Sequence, residues 1–112
     1  MLRVGDELIT LTDPDAPASE AYRTLRTNIL MRNFDKDMKV INIISTTAQE
    51  GKSTCVLNLA MVYAQLQKKV LVIDLDLRMP TVHKKLKLKN KKGISDIIGH
   101  QAEFEEVVLQ PY

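Results

Sequence analysis

The chain has 112 residues, 45% of them apolar, enough for one modest layered core and too short for two domains. Sixteen Lys and Arg against fourteen Asp and Glu leave a formal net charge of +2, too small by itself to point to a nucleic-acid or membrane partner. A single cysteine, Cys55, excludes an internal disulfide and fits a reducing compartment.

In chain order, Met1 to Thr12 mixes Arg3, Asp6 and Glu7 with its apolar residues, which excludes the unbroken apolar core of a signal peptide. No stretch reaches the roughly 18 consecutive apolar residues of a membrane span, so membrane association would have to come through a partner. Asp13-Pro14-Asp15-Ala16-Pro17 is a turn-rich break with Asp15 or Ser19 as candidate caps. A helix is predicted from about Ala18 to Arg32, with Ala21, Tyr22, Leu25 and Ile29 on one side and Glu20, Arg23, Arg26 and Thr27 on the other. Residues 33–37 read as a loop. Lys39 to Ser45 is nearly continuous in apolar character, as a parallel strand covered on both faces would be. A helix from Lys52 to about Gln67 would turn Val56, Leu59, Ala60, Tyr63 and Ala64 toward a sheet, with Cys55 an inert thiol inside the apolar pattern. Lys68-Lys69 breaks it before a second short strand, Val70 to Ile73, ending at Asp74.

Strand, loop, helix and strand make a β-α-β unit whose right-handed crossover leaves both strand ends at one edge and brings residues 45–53 and 74–78 together. The predicted fold is therefore α/β. Beyond it, Thr81 to Leu88 reads as a short helix that Gly93 can stop, Ser95 to Ile98 as a helical turn, and 103–109 as a packing turn or a strand. Lys84, Lys85, Lys87, Lys89, Lys91 and Lys92 are six lysines in nine residues. A solvated helix-loop is the favoured reading of that run, and attraction to an acidic surface the alternative.

The chemistry lies in two segments. Thr46 to Thr54 sits where a phosphate loop must be: backbone amides and a helix amino terminus can surround phosphate oxygens, Lys52 adds a compact positive charge, and the Ser53 hydroxyl can serve Mg²⁺. Thr46 stands where the strict pattern has glycine, and an ordinary strand-to-helix turn with an exposed lysine is the competing reading. The second segment, Val-Leu-Val-Ile-Asp-Leu-Asp-Leu-Arg-Met-Pro over residues 70–80, strengthens the first. Asp74 and Asp76 suit Mg²⁺, which keeps several waters and takes only one or two carboxylates. Either also offers a candidate base for an incoming hydroxyl. Asp74, nearer the strand, is the better holder of the ion's water shell, and Asp76 is freer to meet substrate. Arg78 can contact phosphate or form a surface salt bridge.

Taken in order, these residues resemble the bacterial tyrosine kinases of capsule and exopolysaccharide synthesis, relatives of ParA/MinD-type ATPases. Glu20 through Ile29 resembles the family helix with Glu, Arg and Arg at three-residue spacing. Ser45 through Thr54 resembles its phosphate loop, with Ala48-Gln49 in place of the usual Pro-Gly. Val70 through Pro80 resembles its Asp-x-Asp-x-Arg-x-Pro segment, and Gly93 to Ile98 a Gly-Leu-Ser-Asp-like stretch.

The resemblance implies a P-loop NTPase-like three-layer fold with a parallel sheet, in which residues 1–17 are an N-terminal segment and 18–112 an incomplete kinase domain, an N-terminal fragment. It implies ATP and Mg²⁺ as cofactors, held by Thr47, Ala48, Gln49, Glu50, Gly51, Lys52, Ser53 and Thr54. Lys52, Asp74 and Asp76 would be catalytic, Ser53, Asp74 and Asp76 metal-binding, and Glu20, Arg23 and Arg26 an oligomer interface. The implied partners are a second copy in a homo-oligomer, a protein tyrosine substrate and the cytoplasmic tail of a membrane-anchored polysaccharide co-polymerase, with no specific nucleic acid. The implied location is cytoplasmic, at the inner face of the membrane. Two other functions compete: a ParA/MinD-like ATPase switch and a catalytically inactive nucleotide-binding or assembly module.

Overall fold

The structure is a computed structural model that describes residues 8–33, 39–44, 51–89 and 91–109. Its regular elements are α1 (Ile9–Thr12), α2 (Pro17–Arg32), α3 (Lys52–Ala64), α4 (Val82–Lys85), α5 (Ile94–Ile98) and α6 (Phe104–Val107). The chain divides into two compact units, Met1–Val72 and Ile73–Tyr112, and each is described by itself.

In the first unit α1, α2 and α3 pack on one another pairwise. Pro17 starts α2 because its ring pre-sets the helical φ and its missing N–H would have had no intrahelical acceptor. Glu20 in the first turn and Arg32 in the last oppose the helix dipole with charges of the right sign. Asn33 closes the helix, its N–H reaching the Ile29 carbonyl at 3.0 Å. The residue capping α2 is Ala16, without a side-chain bond. Ser19, expected as a cap, instead turns its hydroxyl backward to within 2.6 Å of the Asp13 carbonyl and 3.0 Å of the Ile9 carbonyl, the two acceptors open to its one proton. A four-residue helix such as α1 does not persist alone in water; this serine and the burial of Leu8 and Thr10 hold it.

Among the described residues the apolar core is Leu8, Leu57, Leu59 and Val62, joined by the buried polar side chains of Thr10, Ser19 and Asn58. The inward face of α3 is therefore rotated from the one expected. Leu57, Asn58, Leu59 and Val62 are buried, whereas Val56, Ala60 and Tyr63 are only half-buried and Ala64 is exposed. The expected face assumed a sheet as the partner, and the observed partners are α1 and α2.

In the second unit α5 packs on α6, and Lys92 Nζ meets Glu106 Oε2 at 3.2 Å. The helix over residues 81–88 is shorter than predicted, and Gly93 does not stop it. Lys87 takes a left-handed φ of 57°, and the Leu88 and Lys87 amides return to the His83 and Lys84 carbonyls at 2.8 and 3.1 Å, the paired bonds of a Schellman ending. Gly93 instead precedes α5, its N–H held by the Asp96 carboxylate at 2.7 Å. Residues 104–107 form α6 rather than a strand.

The α/β expectation is corrected: among the described residues every regular element is a helix, and no β-strand or parallel sheet is formed. Among the described residues the two runs expected as strands carry no ladder, and Val40 and Ile44 are 79% and 89% exposed, Leu71 and Ile73 55% and 53%. Apolar periodicity reports a demand for cover on both faces. A strand exists only where a neighbouring backbone supplies hydrogen bonds in register, which the side-chain pattern of one segment cannot guarantee.

Candidate functional site

Gly51 caps α3 with φ 76° and ψ 18°, a left-handed conformation that favours glycine. A Cβ built there would meet nothing within 4 Å, so the requirement is torsional, not steric. The helix's own ladder begins with the Cys55 N–H on the Gly51 carbonyl at 2.9 Å. Lys52, Ser53 and Thr54 thus form the first turn of the helix, at the positive end of its dipole. No acidic residue lies in that turn, and Lys52 adds a cation, so the sign of the local field suits an anion. Thr47, Ala48, Gln49 and Glu50 lie outside the described residues. The described half of the loop, Gly51 to Thr54, fits a nucleotide phosphate.

One turn further along α3, Asn58 joins the three helices of this unit. Its Oδ1 accepts the N–H (3.1 Å) and the hydroxyl (2.9 Å) of Thr10, and its Nδ2 donates to the Thr54 carbonyl at 2.9 Å. Burial pushes the Tyr22 phenol above its ordinary pKa, the nearby Cys55 thiol adds to the rise, and a hydrogen bond with Asn58 opposes it. Burial also pushes Cys55 up. Neither Thr10 nor Asn58 stood out in the sequence. The available signal was an amide-bearing residue amid the apolar positions of α3, four residues after Thr54.

In the second unit Asp74 and Asp76 come together through a local turn. Asp74 Oδ1 accepts the Asp76 N–H at 3.0 Å, and Oδ2 accepts the amides of Thr81 (3.0 Å) and Val82 (3.2 Å) at the start of α4. Asp76 Oδ1 accepts the Met79 N–H at 3.1 Å. A carboxylate oxygen accepts along two directions, so Asp74 Oδ1 and both oxygens of Asp76 retain acceptor capacity. That fits a Mg²⁺ site in which water supplies most of the coordination. Arg78 is exposed.

On α2 the three residues expected at an interface are each engaged within the chain. Arg23 donates to Glu20 Oε2 through Nη2 (2.8 Å) and Nε (3.2 Å), an exposed pair worth about 0.2 to 1 kcal/mol. Arg26 Nη1 donates to the Val62 carbonyl at 2.7 Å, and its Nε is buried without an acceptor. Burial raises the Tyr63 phenol, and Arg26 opposes that rise.

A family model for the CobQ/CobB/MinD/ParA nucleotide binding domain matches residues 41–108, which includes both the Gly-Lys-Ser-Thr turn and the aspartate pair. The chain belongs to that family. Within the CobQ/CobB/MinD/ParA group it matches bacterial tyrosine-kinase nucleotide-binding domains over most of its length. It is 44% identical over 106 residues to the tyrosine-protein kinase YwqD of Bacillus subtilis, covering 95% of this chain and 45% of that one. It is 33% identical over 98 residues to the tyrosine-protein kinase wzc of Salmonella typhi, covering 88% of this chain and 14% of that one. Its backbone resembles the crystal structure of the chimerical protein CapA2B2, with a TM-score of 0.78, 36% identity, and coverage of 89% of this chain and 44% of that chain. The chain thus spans less than half the length of these relatives. Among the described residues no helix is long and apolar enough to cross a membrane.

Proposed function

We propose that this chain is the phosphate-binding part of an ATP-dependent protein-tyrosine autokinase that regulates capsular or extracellular polysaccharide synthesis and export. The observation that carries the reading is the 44% identity with a tyrosine-protein kinase across 95% of this chain. Lys52 and the amides of Gly51 to Thr54 hold the ATP phosphates, while Ser53, Asp74 and Asp76 hold Mg²⁺. The ion neutralises charge on the phosphates when bound. Asp76 orients the acceptor hydroxyl, since phosphoryl transfer needs chiefly alignment and charge stabilisation. Glu20, Arg23 and Arg26 contribute to subunit association. The acceptors are protein tyrosines, the activator is the cytoplasmic tail of a membrane-anchored polysaccharide co-polymerase, and the protein works at the inner face of the membrane.

The family model, which also covers MinD and ParA, favours a second reading, an ATPase switch that releases inorganic phosphate. Titration of the full chain with MgADP by calorimetry tests what the two readings share. Lys52→Ala removes a charge-assisted contact of roughly 1.5 to 3 kcal/mol and weakens binding at least about tenfold; unchanged affinity overturns the site. Mass spectrometry of a tyrosine-rich acceptor, with ATP, Mg²⁺ and the activating tail, separates them. Phosphotyrosine lost in Asp76→Asn supports the kinase, and release of inorganic phosphate alone supports the switch.

A further inference from the structure

Thr10 and Asn58 are fully buried, yet both are polar. A buried polar side chain is tolerated only when its groups are bonded, and here the bonds run between elements. Asn58 Oδ1 takes both donors of Thr10, a residue 48 positions away in the chain. A backbone N–H can only donate, so Thr10 fixes which end of the Asn58 carboxamide is oxygen. The same orientation aims Nδ2 at the Thr54 carbonyl, in the first turn of α3. A carboxamide bonded only four residues back along its own helix would be a local matter. The two donors on its other side make it a link from α1 to the start of α3.

We infer that Thr10 and Asn58 are positioning residues of the nucleotide site: docked α1 holds the Asn58 carboxamide, and that carboxamide holds the turn bearing Lys52, Ser53 and Thr54. The inference rests on the nucleotide reading of that turn. Because α1 is too short to stay helical undocked, its docking is a two-state event, and coupling between two such events is reciprocal. Phosphate on the first turn of α3 tightens α1, and loosening α1 weakens phosphate binding.

The test combines calorimetric titration of the full chain with MgADP and hydrogen exchange of the α1 amides. Thr10→Val keeps the volume and removes the hydroxyl donor, and Thr10→Ser restores the donor. Thr10→Val is expected to weaken MgADP roughly three- to tenfold, with Thr10→Ser within about twofold of the parent chain. Each titration is made at a temperature where the variant is folded. MgADP slows exchange of the Thr10 to Asp13 amides in the parent chain, and the slowing shrinks in Thr10→Val. Parent-like affinity and protection in Thr10→Val overturn the inference while leaving the nucleotide reading intact, as does an affinity loss in Thr10→Ser equal to that in Thr10→Val. A parent chain that fails to bind MgADP overturns both.

Discussion

Asp74 illustrates how one side chain can serve both the local backbone and a ligand. Its carboxylate accepts three amides, two of them at the start of α4, whereas Asp76 accepts a single exposed one. Replacing Asp74 by asparagine leaves one acceptor oxygen and turns an NH₂ toward amide donors. Asp74→Asn should therefore lower stability by about 1.5 to 3 kcal/mol, and Asp76→Asn by less than about 1 kcal/mol. Urea unfolding of the two variants checks this, and equal losses would contradict the assigned bonding. The sequence showed two carboxylates one residue apart and their suitability for Mg²⁺. It did not show that Asp74 also organises residues 76–82, because that depends on the path of the backbone after Leu77.

At the scale of elements, helices were more legible than strands. The boundaries of α2 follow from Pro17 and the polar residues after Arg32, which are local signals. The start of α3 is equally local: Gly51 supplies a left-handed residue and Lys52 begins the helix. Since the space around Gly51 is open, Gly51→Ala should cost about 1 to 2 kcal/mol through backbone strain alone. Calorimetric melting measures that loss, and a crystal structure of the variant should show no displaced neighbour. A shifted side chain beside residue 51 would refute the torsional account. Helix α1 was not foreseen, because a four-residue helix has no periodicity to read. Its stability comes from Leu8, Thr10 and the Ser19 hydroxyl, which are contacts with residues distant in the chain.

For the whole molecule, the uncovered apolar residues dominate its expected behaviour in solution. Ile44 and Leu75 are 89% and 65% exposed, and exposed apolar patches promote association. The chain should bind a hydrophobic dye and self-associate as concentration rises. Ile44→Lys with Leu75→Lys should reduce both while changing stability by less than about 0.5 kcal/mol per site. Dye fluorescence, sedimentation and urea unfolding together decide this. A large stability loss would mean that these side chains pack in solution.

The sequence by itself determined the family, the Gly51-Lys52-Ser53-Thr54 turn and the pairing of Asp74 with Asp76, because each is written in consecutive residues whose chemistry is local. It also determined that α2 and α3 are helices, through Pro17, Gly51 and spacing that neighbouring residues supply. Only the tertiary structure decided which face of α3 is buried, that Arg26 bonds the Val62 carbonyl, and that Thr10 and Asn58 tie α1 to the turn at Thr54. Those outcomes depend on which backbone arrives beside a side chain, and so does a strand: residues 39–45 and 70–73 have the composition for pairing, but ladder bonds require a partner in register.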